Sequence, residues 1–195
     1  MSWLKWLDHP LFNVVFFFII RQLIKDWDLT QPDRLVSLRM VYLGSQLAIV
    51  GLSYWLIAVV RKKNDQTPLR YVQPGSSGWG QPDTDDTLVT TTFMEYDVAE
   101  IKKNIKQTMT GIAIVAFLHL QFKYVQPLVL QSILGFKTFF LAKESRIHIW
   151  GGKTTSGELR RPFRLEAPFG MVSESKQPKV DKGSIKKAER AKKKA

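Results

Sequence analysis

Polar side chains recur at helical spacing inside the most apolar stretches of this 195-residue chain. Arg39, Gln46 and Ser53 are each seven residues apart, so at about 100° per residue they share one side of a helix with Tyr42. In a bilayer each strongly polar group costs about 2.5–3.5 kcal/mol, and a stripe of them predicts a water-filled groove. The alternative is that Gln46 and Ser53 hydrogen-bond to neighbouring helices as packing contacts. Small residues, which allow another helix to approach closely, lie on a different side: Gly44, Ala48, Gly51 and Ala58.

A second polar stripe follows in the apolar region that ends at Phe122. It contains Asn104, Thr108 and Gly111, and it ends with His119 and Lys123. A single intramembrane His is typical of an interhelical hydrogen bond as well as of a proton relay. The predicted groove-lining residues are the polar side chains in the short apolar segments: Arg39, Gln46, Ser53, His119, Gln121 and Gln131.

No sequence pattern in the chain indicates an enzyme active site or a metal site. There is no Cys, which excludes disulfides, thiolate metal sites and thiol nucleophiles. The three His residues have no metal-ligand spacing. Gly151-Gly-Lys-Thr154 resembles the end of a phosphate-binding loop, but Ile147 occupies the position of its first Gly. We therefore predict no catalytic residues, no metal and no cofactor.

Charge is concentrated at the C-terminus. Residues 143–195 contain 15 Lys and Arg against 6 Asp and Glu, out of a net charge of +12 for the whole chain. Such a tail is typical of binding to polyanions, either ribosomal RNA or acidic lipid, although a solubilising disordered end is the alternative. We predict ribosome binding through the basic residues nearest the end: Lys182, Lys186, Lys187, Arg190, Lys192, Lys193 and Lys194.

These residues must be positioned by membrane helices. Met40–Val60 has no charged side chain and is long enough to cross a bilayer, which needs about 20 residues. Basic residues at 61–63 and 102–106 place the intervening loop in the cytosol by the positive-inside rule. We predict an all-α membrane protein with three to four transmembrane or partly re-entrant helices. Its segments are an N-terminal membrane anchor (1–33), a transmembrane helix (34–60), a cytosolic linker (61–100), a helical membrane hairpin (101–142) and a basic cytosolic tail (143–195).

Several sequence motifs, in order along nearly the whole chain, resemble one family. They are Leu69–Gly75, Glu95–Ile101, the stretch from Gly111 to Ile133, Ser156–Phe163 and Lys186–Ala191. Together they resemble the fungal inorganic phosphate transport family of endoplasmic reticulum membrane proteins. That family is also known as the third component of the SRP-independent (SND) targeting pathway. The first 30 or so residues match this pattern poorly.

The resemblance implies residence in the endoplasmic reticulum membrane and a part in targeting or inserting membrane proteins that bypass the signal recognition particle. The implied partners are nascent membrane-protein clients, the Sec translocon and other SND components. The order of helix, cytosolic excursion and two further helices is also similar to Oxa-type insertases, at the level of the fold alone. Two other functions stay open: inorganic phosphate transport or its indirect support, and a non-catalytic ribosome or translocon adaptor.

Overall fold

The computed structural model of the chain describes residues 10–25, 31–75, 86–155, 157–165 and 177–194. The described part is mostly helical, with one pair of strands. The elements, in order, are α1 (Pro10–Lys25), α2 (Pro32–Lys63), β1 (Pro68–Gln73), β2 (Thr87–Thr92), α3 (Phe93–Phe122), α4 (Gln126–Leu141), α5 (Lys143–His148), a 3-10 turn (Gly157–Leu159) and α6 (Lys182–Lys194).

Helix α2 follows the predicted apolar run closely. It starts with Pro32 in its first turn, where the missing N–H of proline costs nothing, and Asn64 ends it in a left-handed conformation. In the described part of the chain, α2 is the helix that is long and apolar enough to cross a membrane, and α1 has a shorter apolar stretch, Leu11–Gln22. The predicted number of three to four spanning or re-entrant helices therefore stays a prediction.

Helices α2, α3 and α4 pack against one another around an apolar cluster at one end of α2. The cluster brings Leu56 and Val60 of α2 against Ile101 of α3 and Phe139 of α4. Farther along α2, close approach depends on Gly135 of α4, because a Cβ there would come within 2.6 Å of the Cδ1 of Ile49. The cluster and this contact fix the spacing of the three helices.

The sheet is a departure from the all-α expectation. Strands β1 and β2 pair antiparallel, with Pro68 opposite Thr92 and Gln73 opposite Thr87. Pro68 opens β1, a position where a residue without an N–H is tolerated. Directly after β2, a capping box starts α3: Thr92 Oγ1 accepts from the N–H of Glu95, and the Glu95 carboxylate accepts from the N–H of Thr92. The described parts of the predicted linker thus form a strand pair, which we call the hairpin, followed directly by α3, and residues 76–85 lie outside the described residues.

The predicted tail also folds onto this hairpin. Ile147, Leu159 and Phe163 form a second apolar cluster with Tyr71 of β1 and Tyr96 of α3. The Tyr96 hydroxyl accepts from the backbone N–H of Phe163 at 2.8 Å, and burial raises the pKa of the Tyr96 hydroxyl. We call this body, formed by the hairpin, α5, the turn and the start of α3, the cap. The described residues of the predicted tail, 143–155, 157–165 and 177–194, thus alternate between short helices and irregular segments.

A buried ionic cluster ties the cap together. Asp97 is 1% exposed and accepts two hydrogen bonds from Arg161, at 2.6 and 2.5 Å, and one from His148 Nε2 at 2.6 Å. The Arg161 guanidinium also lies 4.7 Å from the centre of the Phe93 ring. Lys63 at the end of α2 donates to the carbonyl of His148. The cluster therefore joins the first turns of α3, the end of α5 and the end of α2.

Two late segments complete the cap. Lys179 exchanges both backbone hydrogen bonds with Val72, so it adds an isolated bridge to the edge of β1. Asp181 accepts from the N–H of Ser184 at 2.7 Å and caps α6. Glu189 on α6 forms an ion pair with Arg70 of β1. The C-terminal helix is thus held against the hairpin.

Candidate functional site

A deep groove runs between α2, α3 and α4 and opens under the cap. Its volume is about 1270 Å³, and α1 contributes Asn13 to its wall. The outer surfaces of the same helices carry exposed large apolar side chains, among them Leu47 of α2, Phe117 of α3 and Phe140 of α4. The outer faces are therefore more apolar than those of a water-soluble bundle, which buries its apolar stripes inside.

The floor of the groove is built from amide side chains. Tyr42 donates its hydroxyl hydrogen to Gln131 Oε1 at 2.9 Å across α2 and α4. A Cβ at Gly111 would lie 2.9 Å from Gln131 Nε2, so glycine leaves room for this amide. Gln46 lines the groove at 4% exposure, and its Oε1 has no hydrogen-bond partner among the described residues. A buried acceptor of this kind needs a donor from water or from a ligand.

The mouth of the groove is charged. Glu144 of α5 lines it at 3% exposure and accepts from Asn104 Nδ2 of α3 at 3.3 Å. Burial raises the pKa of the Glu144 carboxyl to about 7, and the negative charge of Glu100 adds to that effect. Glu100 itself pairs with Lys103 at 3.3 Å. Polar side chains of Gln107 and Thr108 continue the lining from this mouth toward the floor.

The predicted groove residues divide into two groups. Gln46, Ser53 and Gln131 line the groove, and the Ser53 hydroxyl donates to the carbonyl of Ile49 at 2.8 Å. Arg39 and His119 are not among the lining residues and bind each other instead. Gln121 is exposed near the end of α3 and does not line the groove either.

The Arg39–His119 contact fixes the turn between α3 and α4. Arg39 Nε donates to His119 Nε2 at 3.0 Å, while His119 Nδ1 lies 2.9 Å from the carbonyl oxygen of Tyr124. A carbonyl only accepts, so His119 carries its hydrogen on Nδ1 and offers the Nε2 lone pair to Arg39. This is an interhelical hydrogen bond, the simpler of the two roles expected for this residue. Lys123 lies in the left-handed region at φ 58° and allows the chain to reverse there.

The basic residues of α6 whose exposure is described lie on one side of that helix. Ile185, Ala188 and Glu189 are half-buried on the side that contacts the hairpin. The predicted ribosome-binding residues for which exposure is described are all exposed: Lys182, Lys186, Lys187 and Arg190. The backbone of Lys192, Lys193 and Lys194 continues the helix, but their side chains lie outside what the structure describes. The basic side is therefore free of the contact that holds α6.

Sequence reasoning missed the mouth of the groove. The helical spacing placed Asn104 in the second polar stripe, but its partner Glu144 lies far away in the chain and no motif marks it. Their meeting depends on how α5 folds back after α4, which only the tertiary structure reveals. Within the described residues, no group of three or more His, Asp or Glu side chains is placed to hold a metal ion. The groove can therefore offer hydrogen bonds, water and one buried carboxylate.

Comparisons with known proteins identify relatives of the chain. The chain is 36% identical over 183 residues to SRP-independent targeting protein 3 of Saccharomyces cerevisiae, covering 92% of this chain and 93% of the relative. It is 32% identical over 175 residues to the SRP-independent targeting protein 3 homolog of Schizosaccharomyces pombe, covering 90% and 86%. No solved structure matches the chain. The family described as phosphate transport (Pho88) matches residues 7–195, which includes the groove and the cap. The chain thus belongs to the phosphate transport (Pho88) family.

Proposed function

We propose that this protein acts in SRP-independent targeting of membrane proteins at the endoplasmic reticulum, as an integral membrane protein whose groove shelters the polar flank of a client. Similarity to the two yeast targeting proteins over most of the chain supports the targeting role. The observation that supports the insertase-like part is a groove whose apolar lining is interrupted by polar side chains, among them Gln46 and Gln131, between helices with apolar outer faces. A polar path within a membrane lowers the cost of carrying a client's hydrophilic flank, because each polar group in hydrocarbon costs several kcal/mol.

The alternatives predict different outcomes for the same groove. The family's description names phosphate transport, which requires the purified protein in liposomes to take up inorganic phosphate. An adaptor for the ribosome or translocon would bind its partners without using the groove. We propose that the Sec translocon, other SND components and the ribosome are partners of this protein, and that the basic α6 lies on the cytosolic side.

Crosslinking from single positions tests the proposal. A photoreactive residue at Gln46, Ser53 or Gln131 should crosslink to a nascent membrane protein that bypasses the signal recognition particle. The same residue at Leu47 or Leu43, both exposed on the outer face of α2, serves as the matched control. Crosslinks from the control positions equal to those from the groove would contradict the proposal, and uptake of phosphate without client crosslinks would favour transport.

Water access to the groove is tested separately. The chain has no native Cys, so single Cys residues at positions 46, 53 and 131 can be labelled without background. We expect a membrane-impermeant thiol reagent to label them faster than Cys at position 47. Uniformly slow labelling at all three positions would show that the groove is dry.

A further inference from the structure

Glu144 differs from every other charged residue in the groove wall. It is buried, at 3% exposure, and its hydrogen-bond partner among the described residues is the neutral amide of Asn104. No described Lys or Arg forms an ion pair with it. A buried carboxylate without a cation loses its hydration and gains no charge partner in return. It is therefore a site where a positively charged ligand would be stabilised.

The basic residues of the groove wall do not fill this site. Five of them line it, and Arg164 is exposed at the rim. The remaining four each have a partner of their own: Lys103 pairs with Glu100 at 3.3 Å, Arg146 pairs with Glu158 at 3.4 Å, Lys143 donates to the carbonyl of Arg164 at 2.9 Å, and Lys137 donates to Asn13 Oδ1 at 2.5 Å.

A second observation points to a ligand with hydrogen-bond donors. Gln46 is buried on the floor of the groove, and its Oε1 lacks a partner in the described part of the chain. Gly111, whose missing side chain leaves room beside Gln131, lies seven residues from Asn104 on α3, or about 10 Å along the helix axis. The groove thus offers an unpaired acceptor at its floor and a carboxylate at its mouth. Both groups favour a ligand that donates hydrogen bonds.

We propose that Glu144 binds the cationic flank of a client transmembrane segment, as a Lys or Arg side chain or a terminal ammonium, and so holds that flank at the mouth of the groove. This rests on the proposed role of the groove as a client path. Glu144 lies at the end of the molecule where Lys63 of α2 meets His148, which the basic residues 61–63 place on the cytosolic side. Holding the positive flank there leaves the other flank to cross, which produces the positive-inside orientation in the client.

The test uses the full-length protein in nanodiscs and three peptides. Each peptide has an apolar segment of about 20 residues, flanked at one end by three Lys, three Gln or three Glu. We expect Glu144→Gln to weaken binding of the Lys-flanked peptide about tenfold, equivalent to about 1.4 kcal/mol, with little change for the Gln-flanked peptide. Glu144→Asp keeps the charge and should keep the preference. Glu189→Gln is the matched control, since neither Glu189 nor its partner Arg70 lines the groove.

The outcomes separate this inference from the proposed function. Equal weakening of all three peptides in Glu144→Gln, the same loss in Glu189→Gln, or tighter binding of the Glu-flanked peptide to the wild type would overturn the cation site. The same peptides are then offered to liposomes that contain the wild-type protein. Flank-selective binding without insertion would leave the cation site standing and contradict the insertase-like function. Insertion that does not depend on the flanking charge would support the insertase-like function and contradict the cation site.

Discussion

Two ion pairs in the cap contribute unequally to its stability. Asp97 and Arg161 are both nearly fully buried, whereas the Glu158 side chain in the Arg146 pair is 65% exposed. Removing one partner of a buried pair leaves an uncompensated charge, but an exposed pair is weakened by water and salt. The cap therefore depends on the first pair and tolerates loss of the second.

Replacement of Asp97 tests this difference. We expect Asp97→Ala to lower the free energy of unfolding by about 3–5 kcal/mol, because Arg161 stays buried without its carboxylate. Glu158→Ala should cost less than about 1 kcal/mol. Denaturant unfolding in detergent measures both, and the double variant Asp97→Ala with Arg161→Met should recover part of the loss. Equal costs for the two single variants would refute the account.

Glu144 should make the stability of the protein depend on pH. The pKa of its carboxyl is raised from 4.5 to about 7, chiefly by burial and also by the charges of Glu100 and Asp97, while a backbone hydrogen bond and Lys143 act in the opposite direction. The folded state then keeps its proton to higher pH than the unfolded state, so this stabilisation is complete below about pH 4.5 and is lost as pH rises through about 7. The shift corresponds to about 3 kcal/mol at most. Glu144→Gln removes the charged form.

The prediction is a pH-dependent gain in that variant. We expect Glu144→Gln to match the wild type at pH 4.5 and to exceed it increasingly up to pH 8, as measured by thermal unfolding across this range. Glu158→Gln serves as the control that shows no such trend. A constant difference at all pH values would mean that Glu144 does not titrate near pH 7.

The helices place two glycines in opposite situations. Gly135 of α4 faces Ile49 of α2, where a Cβ would lie 2.6 Å from Cδ1, and Gly51 has no such neighbour within 4 Å. Small residues thus matter to the bundle only where two helices actually approach. The small-residue side read from the sequence included Gly51 but did not identify Gly135.

Enlarging the two glycines measures this contact. We expect Gly135→Leu to destabilise the bundle by about 1–3 kcal/mol, because overpacking pushes α4 away from α2. Gly51→Leu should change stability little. Combining Gly135→Leu with Ile49→Ala should restore part of the loss, as measured by unfolding in detergent. No recovery in the double variant would show that the two residues are not in contact.

The long helices could be predicted from sequence, and the cap could not. Met40–Val60 has no charged side chain and ends in Arg61–Lys63, so local composition suffices to place α2. The cap is built differently: Tyr71, Tyr96 and Phe163 come from three separate segments with little apolar periodicity of their own. Helical spacing alone places Gln46 and Ser53 on one side of α2. The same spacing led to the prediction of Arg39 and His119 in the groove, because a helical wheel shows one helix at a time and not the contacts between helices.

At the scale of the whole molecule, many basic residues lie in the part that contains the cap. They are on the exposed side of α6, at the end of α2 (61–63) and in the first half of α3 (102–106), and the positive-inside rule predicts these segments on the cytosolic side. Such an arrangement places a polycationic surface opposite any ribosome that docks there. Two experiments follow from it.

The first concerns ribosome binding. We expect Lys186→Glu with Lys187→Glu to reduce co-sedimentation with ribosomes at low salt, and wild-type binding to weaken steeply as salt rises. The matched control is Lys102→Glu with Lys106→Glu, which changes the net charge equally on α3. If both pairs act alike, α6 has no special role and the attraction is one of overall charge.

The second concerns topology. Protease added to sealed microsomes should remove an epitope placed after residue 195, because the basic tail is expected in the cytosol. Detergent-opened microsomes provide the control for protease activity. Protection of the epitope in sealed microsomes would place the tail in the lumen and reverse the orientation of the groove.

The bridge between Val72 and Lys179 bears on the order in which the protein is made. A growing chain releases its N-terminal part first, so the hairpin and the three long helices emerge well before Lys179 and α6. Contacts between distant parts of a chain also form slowly. We therefore expect Lys179 and α6 to dock on the hairpin as a late step, after the three long helices have left the ribosome and begun to pack.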